Sequence, residues 1–197
     1  MTRPRVTRAE WDTQYRAGRW DYLGGRGESV RYDHLAAFAG RTGAGSVLDI
    51  GCGAGVLREV LGGDGYQGGY LGVDWSLQAL PPQPSPARHR FLCADVGRLP
   101  LAVPAFDLIV AGEVLYYLDD PAAALARARR LLLPGGTLVA SCYQPRADQG
   151  SRWLPAVARL DALLATATGG AGPVRLTEPT NGRRWHVYHV PAVPSPS

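Results

Sequence analysis

The stretch Ser46-Val47-Leu48-Asp49-Ile50-Gly51-Cys52-Gly53-Ala54-Gly55 decides how the rest of the chain is read. Val47, Leu48 and Ile50, interrupted by Asp49, favour a buried strand. Glycine then stands at every second position, and Val56-Leu57-Arg58-Glu59-Val60-Leu61 follows with a helix-like pattern. The reading is strand, tight turn, helix. Glycines in such a turn permit positive φ and let a ligand lie directly against the backbone. The helix start is expected to aim unpaired N–H groups at that ligand.

The spacing separates two ligand classes. A dinucleotide fingerprint G-x-G-x-x-G needs a third glycine where this chain has Val56. What stands here is D-x-G-x-G-x-G, and it resembles the first motif of the class I (Rossmann-like) S-adenosylmethionine-dependent methyltransferases. The resemblance implies that Gly51, Cys52, Gly53 and Gly55 hold the amino acid part of the cofactor and that Asp49 helps fix its ammonium group.

Downstream, Gly69-Tyr70-Leu71-Gly72-Val73 reads as a second strand ending in Asp74, 19 residues past Gly55. An acid at that place accepts from ribose hydroxyls. Trp75 stands where the family sets an apolar residue against adenine. Pro81, Pro82, Pro84 and Pro86 forbid a long helix after Ser76, so a short one is expected. A third strand, His89 to Ala94, leads to Asp95 and Val96, which the resemblance assigns to the adenine edge.

Phe106-Asp107-Leu108-Ile109-Val110-Ala111 is the most apolar run, as expected of a central parallel strand. It opens into Gly112-Glu113-Val114-Leu115-Tyr116-Tyr117-Leu118, where ligands of open α/β sheets lie. Glu113, Tyr116 and Tyr117 are the candidates for orienting a substrate or taking its proton. Asp119-Asp120-Pro121 starts a helix expected to reach Leu133, with its arginines complementing the C-terminus. Pro134-Gly135-Gly136 reads as a turn into the strand Thr137 to Cys142. A helix from about Arg152 to Ala165 and an antiparallel hairpin, Val174 to Thr177 with Arg184 to Val190, complete the pattern. A half-exposed strand face accounts for His186 and His189. Pro191 to Ser197 reads as a disordered tail.

Upstream, Trp11, Tyr15, Trp20, Tyr22 and Tyr32 crowd the segment before the first strand. Trp11 with Tyr15, and Arg16 with Trp20, are spaced to share faces of a short helix that Gly24, Gly25 and Gly27 break. A segment in this place most easily lies over the ligand edge, as a lid. W-x3-Y-x2-G-x-W-D-Y-L followed by E-x2-R-Y resembles a bacterial small-molecule subgroup that includes the nodulation-type N-methyltransferases. It implies that Arg31, Trp20 and Tyr15 touch or cover the cofactor. Glu28 to Arg41 then reads as a helix facing inward with Val30, Leu35, Phe38 and Ala39.

The chain has 197 residues, 46% hydrophobic, which suits one α/β domain. No apolar run approaches a membrane span, and the first residues lack the apolar core of a signal peptide, so a soluble cytoplasmic protein is expected. Cys52, Cys93 and Cys142 form no C-x-x-C pair, which favours buried thiols over disulfides or a metal site. The net charge of +4 comes from 21 arginines and no lysine. They are dispersed, which argues against a nucleic-acid surface.

The expected fold is α/β: a doubly wound, mostly parallel seven-stranded sheet with helices on both faces and a C-terminal antiparallel hairpin. Residues 8–45 form the lid region, 46–190 the core and 191–197 the tail of one domain. The expected activity is methyl transfer from S-adenosyl-L-methionine to a nitrogen or oxygen of a small molecule, such as a natural product, sugar or amine of secondary metabolism. The alternative is a cyclase or binding protein that keeps the cofactor on the same scaffold without transferring its methyl.

Overall fold

The computed structural model describes residues 6–82, 87–101, 103–146 and 154–192. The strands are β1 (Ser46–Ile50), β2 (Gly69–Asp74), β3 (His89–Cys93), β4 (Phe106–Gly112), β5 (Leu132–Tyr143), β6 (Val174–Thr177) and β7 (Arg184–Pro191). They form one sheet in the order β3-β2-β1-β4-β5-β7-β6. β3 to β5 are mutually parallel, and β7 runs antiparallel to both β5 and β6. The expected doubly wound architecture is therefore present. β1 lies between β2 and β4, so the winding reverses there, which opens a crevice beyond the strand ends.

The apolar runs of β1 and β4 bury both faces because successive side chains alternate. Val47, Leu108 and Val110 join one core with Leu35 of helix α2 (Ser29–Thr42) and Leu57 and Leu61 of α3 (Val56–Gly63). Leu48, Ile109 and Ala111 join the other with Leu125 of α4 (Pro121–Arg129) and Leu160 and Leu164 of α5 (Leu154–Ala167). Ahead of these, α1 (Arg8–Arg16) starts on a reciprocal cap between Thr7 and Glu10.

Several expectations need correction. α1 ends at Arg16, and Gly18 at φ 69° turns the chain, so Trp20 lies outside the helix. Inward on α2 are Arg31, Leu35, Ala36 and Ala39, whereas Val30 and Phe38 are only part-buried. After Ser76 the described residues form turns and no helix; Pro84 and Pro86 lie outside them. α4 stops at Arg129, and Leu132 already pairs with Phe106, so Pro134-Gly135-Gly136 is an irregularity within β5 rather than a turn before it. α5 reaches Ala167, and residues 152–153 are outside the description. β7 includes Pro191, and the rest of the expected tail, 193–197, is likewise outside it.

His186 and His189 do not share a face. His186 Nδ1 meets Asp161 of α5 at 3.1 Å, while His189 stacks on Phe38 of α2 with centroids 4.4 Å apart. Three positions separate them, so the pleat sends them to opposite sides. The thiols are free, with Cys52 and Cys142 buried and Cys93 only part-buried. Among the described residues no helix is long and apolar enough to cross a membrane, and no three His, Cys, Asp or Glu side chains are grouped to hold a metal.

Candidate active site

A cavity of about 670 Å³ lies beyond the carboxyl ends of β1, β2 and β4, roofed by the N-terminal segment. That volume is in the usual range for a small-molecule or cofactor site. The glycine turn forms part of its floor through Gly51, Cys52 and Gly53. Their backbone differs from the expected cradle. Gly51 and Cys52 N–H groups donate to the Val73 carbonyl at 2.7 and 3.1 Å, and Gly53 N–H donates to Asp74 Oδ2 at 3.0 Å. These three amides are tied to the end of β2 rather than left for a ligand.

The glycines are still required, each for its own reason. Gly51, Gly53 and Gly55 have φ of 74°, 53° and 78°, a region that favours glycine. A Cβ on Gly51 would stand 2.6 Å from Val114, and one on Gly55 2.8 Å from the Phe91 ring. Gly55 does not line the cavity; its small size serves internal packing. Only Gly53 faces the roof, where a Cβ would approach the Tyr15 hydroxyl at 3.0 Å.

The three strand-end acids separate as well. Asp49 is 5% exposed, accepts from the Tyr70 hydroxyl at 2.7 Å and does not line the cavity. Burial pushes its pKa up to about 6 against the opposing Tyr70 hydrogen bond and Arg31 charge. Asp74 and Asp95 do line the cavity, together with Trp75 and Val96. Burial raises the Asp74 carboxyl, while N–H donation from Ser76 at 2.9 Å and from Gly53 opposes the shift. Asp95 accepts from Gly97 N–H at 2.8 Å and so caps the turn Val96–Arg98.

At the other end, Arg31 enters from α2, 2% exposed, with Nη1 directed toward Gly112, whose Cβ would meet it at 3.1 Å. Burial works against its charge, but Tyr32, Glu113 and Glu28 outweigh this and hold the guanidinium above its ordinary value. Glu28, 1% exposed, accepts from Arg31 Nη2 at 3.1 Å and pairs with Arg183 Nη1 at 2.7 Å. No local sequence signal marks Glu28 or Arg183 as a site residue.

The roof is aromatic. Tyr15, Trp20 and Trp11 line the cavity, with Trp20 centroids 6.3 Å from Tyr15 and 5.4 Å from Trp11, and Trp11 edge-on to Tyr117 at 5.0 Å. Burial pushes the Tyr15 phenol up, so it remains a neutral donor. The Trp20 indole N–H is buried with no partner among the described residues. The N-terminal segment is tied to the turn after β2 by Asp12, which accepts from the Ser76 hydroxyl at 2.5 Å.

Glu113, Tyr116 and Tyr117 also part company. Glu113 lines the cavity at φ 59°, left-handed backbone that costs a side-chain residue about 1–2 kcal/mol. Its carboxylate accepts from Tyr116 O–H at 2.7 Å, Ser141 O–H at 2.9 Å and Tyr143 N–H at 2.9 Å. Those bonds tie the loop between β4 and β5 to the end of β5. Tyr116 is behind the cavity wall, and Tyr117 lines it.

Residues 48–140 match the methyltransferase domain family. The 1,6-didemethyltoxoflavin-N1-methyltransferase of Burkholderia thailandensis, solved with bound 1,6-didemethyltoxoflavin and S-adenosylhomocysteine, superposes with TM-score 0.70 at 18% identity, covering 98% of this chain and 94% of that one. The N-methyltransferase NodS of Bradyrhizobium japonicum, also solved with S-adenosylhomocysteine, gives 0.62 at 21% identity over 85% and 88%. The [4+2]-cyclase SpnF gives 0.53 at 26% identity over 68% and 56%. The chain spans about half the length of the curated relatives it matches, among them O- and C-methyltransferases of quinone biosynthesis. Residues 48–140, just under half of the chain, are thus similar to the methyltransferase domain family, and the chain shares the fold of the methyltransferases solved with S-adenosylhomocysteine.

Proposed function

We propose that the protein transfers a methyl group from S-adenosylmethionine to a nitrogen or oxygen of a small molecule. The observation that carries this reading is that one cavity is lined by Asp74, Asp95, Gly53 and Arg31 together. Asp74 would accept from ribose hydroxyls, and Asp95 with Val96 would meet the adenine edge beside Trp75. Arg31 would hold the carboxylate of the amino acid part. The fit rests on a cavity of about 670 Å³ with a donor, Arg31, at one end and acceptors, Asp74 and Asp95, at the other.

When bound, the cofactor supplies an electrophilic methyl carbon on a sulfonium. The chain's task is then to align a nucleophile in line with that carbon and to keep water out. Trp11, Tyr15, Trp20 and Tyr117 would present ring faces and edges that suit a cation and exclude solvent. The cavity rim carries Asp21, Glu59, Asp119 and Asp120 against Arg98, which disfavours a phosphate backbone and favours a small acceptor.

Asp74→Ala is expected to weaken S-adenosylhomocysteine binding by about 1–3 kcal/mol in calorimetry, the cost of a charge-assisted hydrogen bond. Unchanged affinity would remove the ribose contact. The match to a [4+2]-cyclase favours a second reading, cofactor binding without transfer. Incubation with methyl-labelled cofactor and an extract of the native host separates the two: tight binding with no label transferred supports the second.

A further inference from the structure

The cofactor reading assigns no task to Glu28 or Arg183, yet Glu28 is a fully buried carboxylate. Isolated burial of such a charge is costly, and this one has an arginine on either side, Arg31 hydrogen-bonded to Oε2 and Arg183 in ion-pair contact with Oε1, which accepts no hydrogen bond among the described residues. Arg31 reaches Oε2 with Nε at 3.3 Å and Nη2 at 3.1 Å, while Arg183 reaches Oε1 at 2.7 Å. Arg183 stands in the loop between β6 and β7, and its guanidinium lies over the rings of Tyr22 at 5.1 Å and Tyr143 at 5.2 Å. Beside it, Asn181 Nδ2 donates to the Gly27 carbonyl at 3.3 Å, which docks that loop onto the lid.

Charge accounting shows what the second arginine does. Three carboxylates, Glu28, Glu113 and, above about pH 6, Asp49, act on Arg31 and together repel a ligand carboxylate; Arg183, 2.7 Å from Glu28 Oε1, offsets one of them. With Glu28 offset, more of the Arg31 charge acts on the cavity. We propose that Arg183 is a positioning residue for the carboxylate of the bound cofactor, acting through Glu28 on Arg31. The inference rests on reading the cavity as the S-adenosylmethionine site.

Calorimetry with two nucleosides tests it. S-adenosylhomocysteine carries the carboxylate, and 5′-methylthioadenosine lacks it. Arg183→Gln is expected to weaken S-adenosylhomocysteine about tenfold while methylthioadenosine stays within about twofold. Arg183→Lys, which keeps the charge, should recover most of the loss. Glu28→Gln combined with Arg183→Gln should recover it too, because the carboxylate needing compensation is gone. Should Arg183→Gln fail to fold, the double variant is compared with wild type, and a loss of S-adenosylhomocysteine affinity beyond about tenfold overturns the inference. An equal loss on both nucleosides, or no recovery in the double variant, also overturns it. A wild-type protein that binds neither nucleoside overturns the cofactor reading, and this inference with it.

Discussion

At the end of the cavity formed by Asp74 and Asp95, each carboxylate terminates or follows a strand and accepts a backbone N–H from the residue two positions on, Ser76 or Gly97. At the other end the network reaches across the fold. Arg31 depends on Glu28, and Glu28 on Arg183 from the far hairpin, while Glu113 depends on Ser141 and Tyr143 of the neighbouring strand. The first end is preset by two short strand-turn units, each acid accepting from its own turn, with Gly53 N–H also donating to Asp74. The second exists only when the lid, the β4 loop and the hairpin have all docked. Damage to the hairpin should therefore reach the second end and spare the first.

The sharpest break of this contrast is at the turn between the two ends. Gly55→Ala forces a left-handed residue at φ 78° and drives a Cβ to within 2.8 Å of the Phe91 ring. Backbone strain and overpacking together are expected to cost about 2–5 kcal/mol in urea unfolding. Adding Phe91→Leu should return part of that loss; no recovery would leave backbone strain as the whole cause. Gly53→Ala meets only the Tyr15 hydroxyl at 3.0 Å, so its cost should be about 1–2 kcal/mol, from backbone strain alone.

What could be read from the sequence follows the same division. The seven-stranded pattern, the glycine turn and the positions of Asp74 and Asp95 are set by short-range periodicity, and a single sequence carries that signal. The direction of a side chain at a strand end is not local. Asp49 belongs to the same motif, yet the pleat aims it at Tyr70 of the adjoining strand instead of the cavity. The reason for Gly55 is equally remote, since it lies in the Phe91 ring. Arg183 carries no motif at all; only the antiparallel return of β7 brings its loop to Glu28. Helix limits failed where pairing overrode the helical pattern, as at Leu132, which Phe106 claims for the sheet.

Asp49 sharpens the contrast from within the motif. Between the ordinary value of 3.8 and about 6 the folded protein keeps a proton on Asp49 that the unfolded chain has lost. Its contribution to stability is therefore fully present below the lower value and is lost as pH rises through about 6. Asp49→Asn should raise stability at pH 7 by roughly 1–3 kcal/mol, with little difference near pH 4. Urea midpoints at the two pH values measure this. S-adenosylhomocysteine affinity should stay within about twofold, since the residue is not in the cavity wall. A large loss of affinity would instead restore the ammonium contact that the family resemblance implies.

The smallest effect tests which kind of residue Glu113 is. Tyr116 is part-buried behind the cavity wall, and desolvation holds its phenol protonated as a donor to Glu113 Oε2 at 2.7 Å. Tyr116→Phe removes one of three donors to that carboxylate and should cost about 1 kcal/mol of stability. If Glu113 anchors the loop, the remaining bonds from Ser141 and Tyr143 keep φ at 59° and the pH–rate profile of methyl transfer keeps its shape. If Glu113 takes a substrate proton, loss of the same donor alters the protonation equilibrium of the working group and displaces that profile. Reduced stability with an unmoved profile would mark Glu113 as an anchor, and a displaced profile would make it the base after all.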